Sequence, residues 1–227
     1  MHRTFASTLV ALVLLIGSAA WGVEPTTMVK TMGWHRTQDS AIWVWKGNKN
    51  CFRTLTHELL HRATHEVPRV VWHDMARMTG DPKFMEGLTS YFTSRALELA
   101  HREPSYSDPR ATTLGDLRRW SRSIRADAHA TLQTAFGVDV DMRKITICND
   151  KTFGRCHLRD FGEPWVSHPG QPGSYGNSKS RVQQIVELVG EGPVRRAYFQ
   201  GDVGGLRAAL ARAKRQRPST FPAWINP

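Results

Sequence analysis

A chain of 227 residues, 40% hydrophobic and 22% charged, can bury a real core in one domain, and this balance is that of a folded globular protein rather than a disordered one. The formal net charge of +11 favours acidic partners, such as anionic cell-surface polymers or an acidic substrate. That charge is dispersed in pairs such as Arg118-Arg119 and Arg195-Arg196, with no nucleic-acid motif beside it, so no specific nucleic-acid partner is expected.

Taken in chain order, the first element is a signal peptide over residues 1–20. His2 and Arg3 form a short basic region, Phe5 to Ile16 is apolar apart from Ser7 and Thr8, and Gly17-Ser18-Ala19-Ala20 supplies small residues for a cut after Ala20. The apolar run is short for a membrane span, and no later segment is long and apolar enough for one. The expectation is a soluble mature protein, secreted or periplasmic. Residues 21–40 are polar, lack periodicity and read as an irregular N-terminal segment ahead of a domain over 41–227.

Ala41-Ile42-Trp43-Val44-Trp45 reads as a strand, and Asn50 as the N-cap of a helix from about Cys51 to about His65. A second helix is expected from about Lys83 to about Ala100, started by Asp81-Pro82. Thr113 to Phe136 looks helical and Val138 to Ile147 extended, while Phe161 to Asn177 is a Gly/Pro-rich loop. Val182, Ile185, Val186 and Val189 mark one apolar helical stripe, and short helices follow over Val194–Phe199 and Leu206–Lys214. The fold class is therefore α+β: mainly helical, with a small sheet edge and a C-terminal helical part. Of the three cysteines, Cys148 and Cys156 flank turn-like residues and are the favoured disulfide in an oxidising compartment. Cys51 is expected as a buried free thiol on the first helix.

The chemistry concentrates in His57-Glu58-Leu59-Leu60-His61. Histidines four apart lie on one face of a helix, one turn from each other, and can both bind one tetrahedral zinc. Glu58 is turned by about 100° and can reach a water at the metal rather than the metal itself. Phe52, Leu55 and Leu59 fall on the opposite face, so the helix can pack on a core while its histidines face a cleft. The pattern with a third histidine fails, because Thr64 and Val67 stand where glycine and histidine are required. His65, His73, Asp74 and Asp81 remain candidates for the third ligand. Glu86 is the better one, since a hairpin of two helices brings its carboxylate over the first helix and Glu86, Thr93 and Leu97 share a face.

The run Thr56-His57-Glu58-Leu59-Leu60-His61 followed by Met85-Glu86-Gly87-Leu88-Thr89-Ser90-Tyr91-Phe92-Thr93 resembles the gluzincin metallopeptidases, the thermolysin-like group with a glutamate third ligand. More narrowly, it is similar to compact bacterial proteins with an E-G-x-T-x-Y-F motif and a late helix like Val194 to Phe199 followed by Gly201-Asp202. The resemblance covers roughly residues 41–100 and 175–212. It implies a zincin-like core, Zn2+ held by His57, His61 and Glu86, Glu58 as catalytic base, and a peptide or protein substrate. The chain departs from the gluzincin pattern at Ser90, where an acidic residue four positions after the ligand glutamate often orients a zinc histidine. Either Ser90 makes a weaker contact or another carboxylate, such as Asp74, supplies it.

Tyr91, Tyr198 and His168 are candidates to stabilise the oxyanion, with Tyr198 ranked first because it lies in the helix that the resemblance points to. The Trp43–Trp45 strand is a candidate edge for an extended peptide. The alternative function is a secreted, basic cell-envelope binding protein with a zincin-like fold and no turnover.

Overall fold

The computed structural model describes residues 33–36, 40–45, 50–102, 114–148 and 175–227. The segment expected to be a signal peptide, the Cys156 half of the favoured disulfide, His168 and the expected Gly/Pro-rich loop up to residue 174 lie outside these residues.

The architecture is mainly helical with one small sheet. Three strands, β1 (Gly33–Arg36), β2 (Ala41–Trp45) and β3 (Ile145–Cys148), are ordered β1-β2-β3. β1 runs antiparallel to β2, with His35 opposite Ile42, and β3 runs parallel to it, with Ile145 opposite Ile42. Two expectations are corrected here. The segment read as irregular contributes β1. And β2 is the central strand, paired on both sides, so it has no free edge for a peptide; among the described residues β1 and β3 are the outer strands. A four-residue strand is too short for its alternation to stand out from the polar sequence around it.

The described residues form seven helices: α1 (Cys51–Ala63), α2 (Arg69–Thr79), α3 (Phe84–Leu99), α4 (Leu114–Phe136), α5 (Tyr175–Val189), α6 (Glu191–Gln200) and α7 (Val203–Gln216). Asn50 is the N-cap of α1 and its carbonyl accepts the Thr54 N–H. α2 was not anticipated. Val71, Met75 and Met78 lie on one helical face, with Met75 and Met78 in the core, and that spacing could have revealed it. No described helix is long and apolar enough to cross a membrane.

The core sits between the sheet and α1, and around α3. Ile42 and Val44 of β2 meet Phe52, Leu55 and Leu59 of α1, all five essentially without solvent exposure. Arg62 is also buried on α1, and its guanidinium donates to the carbonyls of Ser40, Asp141 and Arg143. These bonds tie the histidine-bearing helix to the start of β2 and to the segment entering β3. A buried cation is tolerated there because main-chain carbonyls replace its lost water.

α3 is the hub, in contact with α1, α2, α4 and α5. Its closest approach is at Gly87, where an added Cβ would lie 2.6 Å from the Ser178 backbone of α5. Phe92 stacks on Tyr198 at 4.9 Å between ring centroids and meets Phe136 and Phe199 edge-on or tilted. At the far end, Gly201 closes α6 in the left-handed region at φ +73°, and Asp202 then caps α7 by accepting the Gly205 N–H.

Candidate metal centre

α1 carries His57 and His61 one turn apart, and α3 brings Glu86 over them from its first turn. The three ligand atoms close on one point. The Nε2 atoms of the two histidines are 3.1 Å apart, and Glu86 Oε2 is 3.3 Å from each. Nitrogen and oxygen held about 2.0–2.1 Å from one tetrahedral ion stand about 3.3 Å from each other. The donor set and its dimensions therefore fit a zinc-sized cation. Among the described residues no other three His, Cys, Asp or Glu side chains converge in this way.

The site remains open on one side. His57, His61 and Glu86 keep 18%, 12% and 16% of their side-chain surface, which leaves room for a fourth ligand from solvent or substrate.

Thr93, two turns beyond Glu86 on the same face of α3, sets the tautomer of His57. Its hydroxyl donates to the Thr89 carbonyl at 2.6 Å and so can only accept from His57 Nδ1, 3.4 Å away. The proton is thereby held on Nδ1, and the Nε2 lone pair is left for the metal. This is the orienting contact that sequence reasoning assigned to Ser90 or Asp74. Asp74 instead pairs with Arg77, and the Ser90 carbonyl accepts the Ser94 hydroxyl.

The two carboxylates are driven apart. Burial works against ionised Glu86, but the neighbouring His61 and His57 outweigh it and hold its carboxyl well below the usual range. Burial also opposes the His61 imidazolium, yet the charge of Glu86 and its hydrogen bond lift His61 to about 9. Glu58 goes the other way: burial raises its carboxyl above the ordinary value, against the pull of His57, His61 and a main-chain hydrogen bond from His35. A low carboxyl suits an anionic ligand, and a raised one suits a group that takes and returns a proton.

His35 was not anticipated. It stands on β1 with its main chain bonded to Glu58 and its ring 6.5 Å from that of His61 and 5.9 Å from that of His65. Only the pairing of β1 with β2 brings it there. The other candidate ligands stay apart: His65 and His73 are exposed, and buried Asp81 accepts the Lys83 N–H at the start of α3.

Of the oxyanion candidates, Tyr198 has no exposed surface and donates its hydroxyl to Thr89 at 2.9 Å. Burial pushes its phenol far above the usual range. Tyr198 is thus enclosed in the core, with its hydroxyl held by Thr89. Tyr91 donates to Glu191, which also takes Arg95, and so staples α3 to α6.

The E-G-x-T-x-Y-F run now has a physical reading. Glu86 faces the metal point, Gly87 admits α5, Thr89 receives the Tyr198 hydroxyl, Tyr91 reaches α6 and Phe92 fills the core. No family model, no curated protein and no solved structure matches the chain.

Proposed function

We propose that this protein is a zinc-dependent peptidase with a zincin-like core, exported from the cell by its N-terminal signal. The convergence of His57, His61 and Glu86 within 3.1–3.3 Å, with Glu58 alongside, carries the reading.

His57, His61 and Glu86 would hold the ion, with Thr93 fixing the His57 ring. Zinc in such a site supplies Lewis acidity, polarising a carbonyl and bringing the pKa of water from about 15.7 towards 7. Glu58 takes the proton of the attacking water and passes it to the leaving amine, a role suited by its place one residue after His57 on α1 and by its burial. The His35 N–H holds that carboxylate in place. An extended peptide would lie along β1 rather than β2, because β1 is an outer strand and reaches the site through His35.

The alternative of a binding protein without turnover drew support from Ser90. Thr93 fills the orienting role, which favours the enzyme. Zinc analysis of the purified mature protein together with digestion of a broad peptide library tests the proposal. About one zinc per chain with cleavage supports it; zinc without any cleavage favours the binding protein; no stoichiometric metal overturns both.

A further inference from the structure

The contact between α1 and α3 continues past the candidate metal ligands. Arg53 lies one turn before His57 on the same face of α1, about 6 Å along the helix axis. Ser90 and Ser94 follow Glu86 at one-turn intervals on α3. Where His57 and His61 meet Glu86, Arg53 meets Ser94: its Nη2 donates to the Ser94 hydroxyl at 3.0 Å. A second cation arrives from α5. Lys179 Nζ donates to the same oxygen at 2.8 Å.

The Ser94 hydroxyl gives its own proton to the Ser90 carbonyl at 3.1 Å. Both of its lone pairs are then occupied by cations. This arrangement neutralises nothing, since a hydroxyl carries no charge. Among the described residues, neither Arg53 nor Lys179 forms an ion pair. Both are half-buried. Burial lowers the pKa of each, and the charge of Arg53 lowers that of Lys179 further. Two like charges held side by side and partly out of water are unfavourable unless an anion joins them. Arg53 keeps four further N–H donors and Lys179 two, and the fork of a guanidinium matches a carboxylate.

We propose that Arg53, Lys179 and Ser94 form an anion subsite that takes a carboxylate of the substrate, one helical turn from the metal ligands on the His57 side. That carboxylate belongs either to an acidic side chain or to a peptide C-terminus. The identity of the ligand as a substrate rests on the peptidase reading; the anion site itself does not.

The test uses the full mature, zinc-loaded protein, Lys179→Met, Arg53→Gln and the charge-preserving Lys179→Arg. The first measurement is kcat/KM on matched peptides that differ only as Glu against Gln, and on a second series with free against amidated C-terminus. Wild type and Lys179→Arg should prefer the carboxylate in one series by about tenfold or more, and the preference should collapse towards unity in Lys179→Met and Arg53→Gln. The series that shows it identifies the source of the carboxylate. Equal rates on charged and neutral peptides in both series would overturn the subsite and leave the peptidase reading standing. The second measurement needs no turnover: the thermal midpoint in sodium acetate against sodium chloride at equal ionic strength. Acetate should raise the midpoint of wild type more than that of Lys179→Met or Arg53→Gln, and this difference supports the site even if no peptide is cleaved. An identical response in all four proteins overturns it.

Discussion

The Thr93 hydroxyl faces His57 Nδ1 across 3.4 Å while giving its proton to Thr89. A threonine thereby does what a carboxylate often does beside a zinc histidine: it keeps the imidazole in the tautomer that ligates. Thr93→Val preserves shape and removes the acceptor. Zinc affinity should fall about 10–100-fold, and Thr93→Ser should restore most of it. Competition with a chromophoric chelator measures both; unchanged affinity in the valine variant would remove Thr93 from the site.

Glu58 is not one of the three converging ligand residues, so zinc content and function should separate there. Glu58→Gln should keep stoichiometric zinc and a near-native melting temperature while peptide cleavage drops by about 10²–10⁴-fold. His57→Ala should lose metal and cleavage together. Retention of most activity by Glu58→Gln places the base elsewhere.

Tyr198 separates a core role from a catalytic one. Its buried hydroxyl bonds Thr89, so Tyr198→Phe should cost about 1 kcal/mol of stability and leave kcat within a few-fold of wild type. Denaturant titration and steady-state kinetics check the two halves. A loss of kcat of about 10²-fold or more at unchanged KM would return Tyr198 to the oxyanion.

Gly87 has no space for a methyl group, because the Ser178 backbone stands where a Cβ would go. Gly87→Ala should destabilise by about 1–3 kcal/mol despite the better helix propensity of alanine, since α3 and α5 must move apart. A melting temperature at or above wild type would contradict the close packing of these helices.

Cys51 is buried, unpaired and raised by burial to about 12. At pH 8 only about one thiol in 10⁴ is ionised, so iodoacetamide should leave Cys51 unmodified in the native protein and label it once denaturant is added. Mass spectrometry of the tryptic peptide reads the difference; rapid native labelling would show that α1 opens.

How much was legible in the sequence follows from how far apart the interacting residues lie. The amphipathic faces of α1, α3 and α5, the spacing of His57 and His61, and the shared face of Glu86 and Thr93 are set by a local period of 3.6 residues, and local order is what a sequence displays. The same holds for the cap residue Asn50. Choosing Thr93 over Ser90 depended on how α3 is rotated against α1, which is decided by packing on α5 through Gly87 and on the aromatic core. Tyr198 looked like a site residue until the stacking of Phe92 enclosed it. β1, and with it His35, could be recognised only through pairing with β2, because the four residues Gly33 to Arg36 contain too little alternation to declare a strand. The meeting of Arg53 with Lys179 spans more than a hundred residues. The sequence by itself determined the candidate ligand types and the helices that carry them; the tertiary structure alone decided which groups surround the point where they converge, because side chains from distant segments meet only after the core has fixed the angle at which their helices cross.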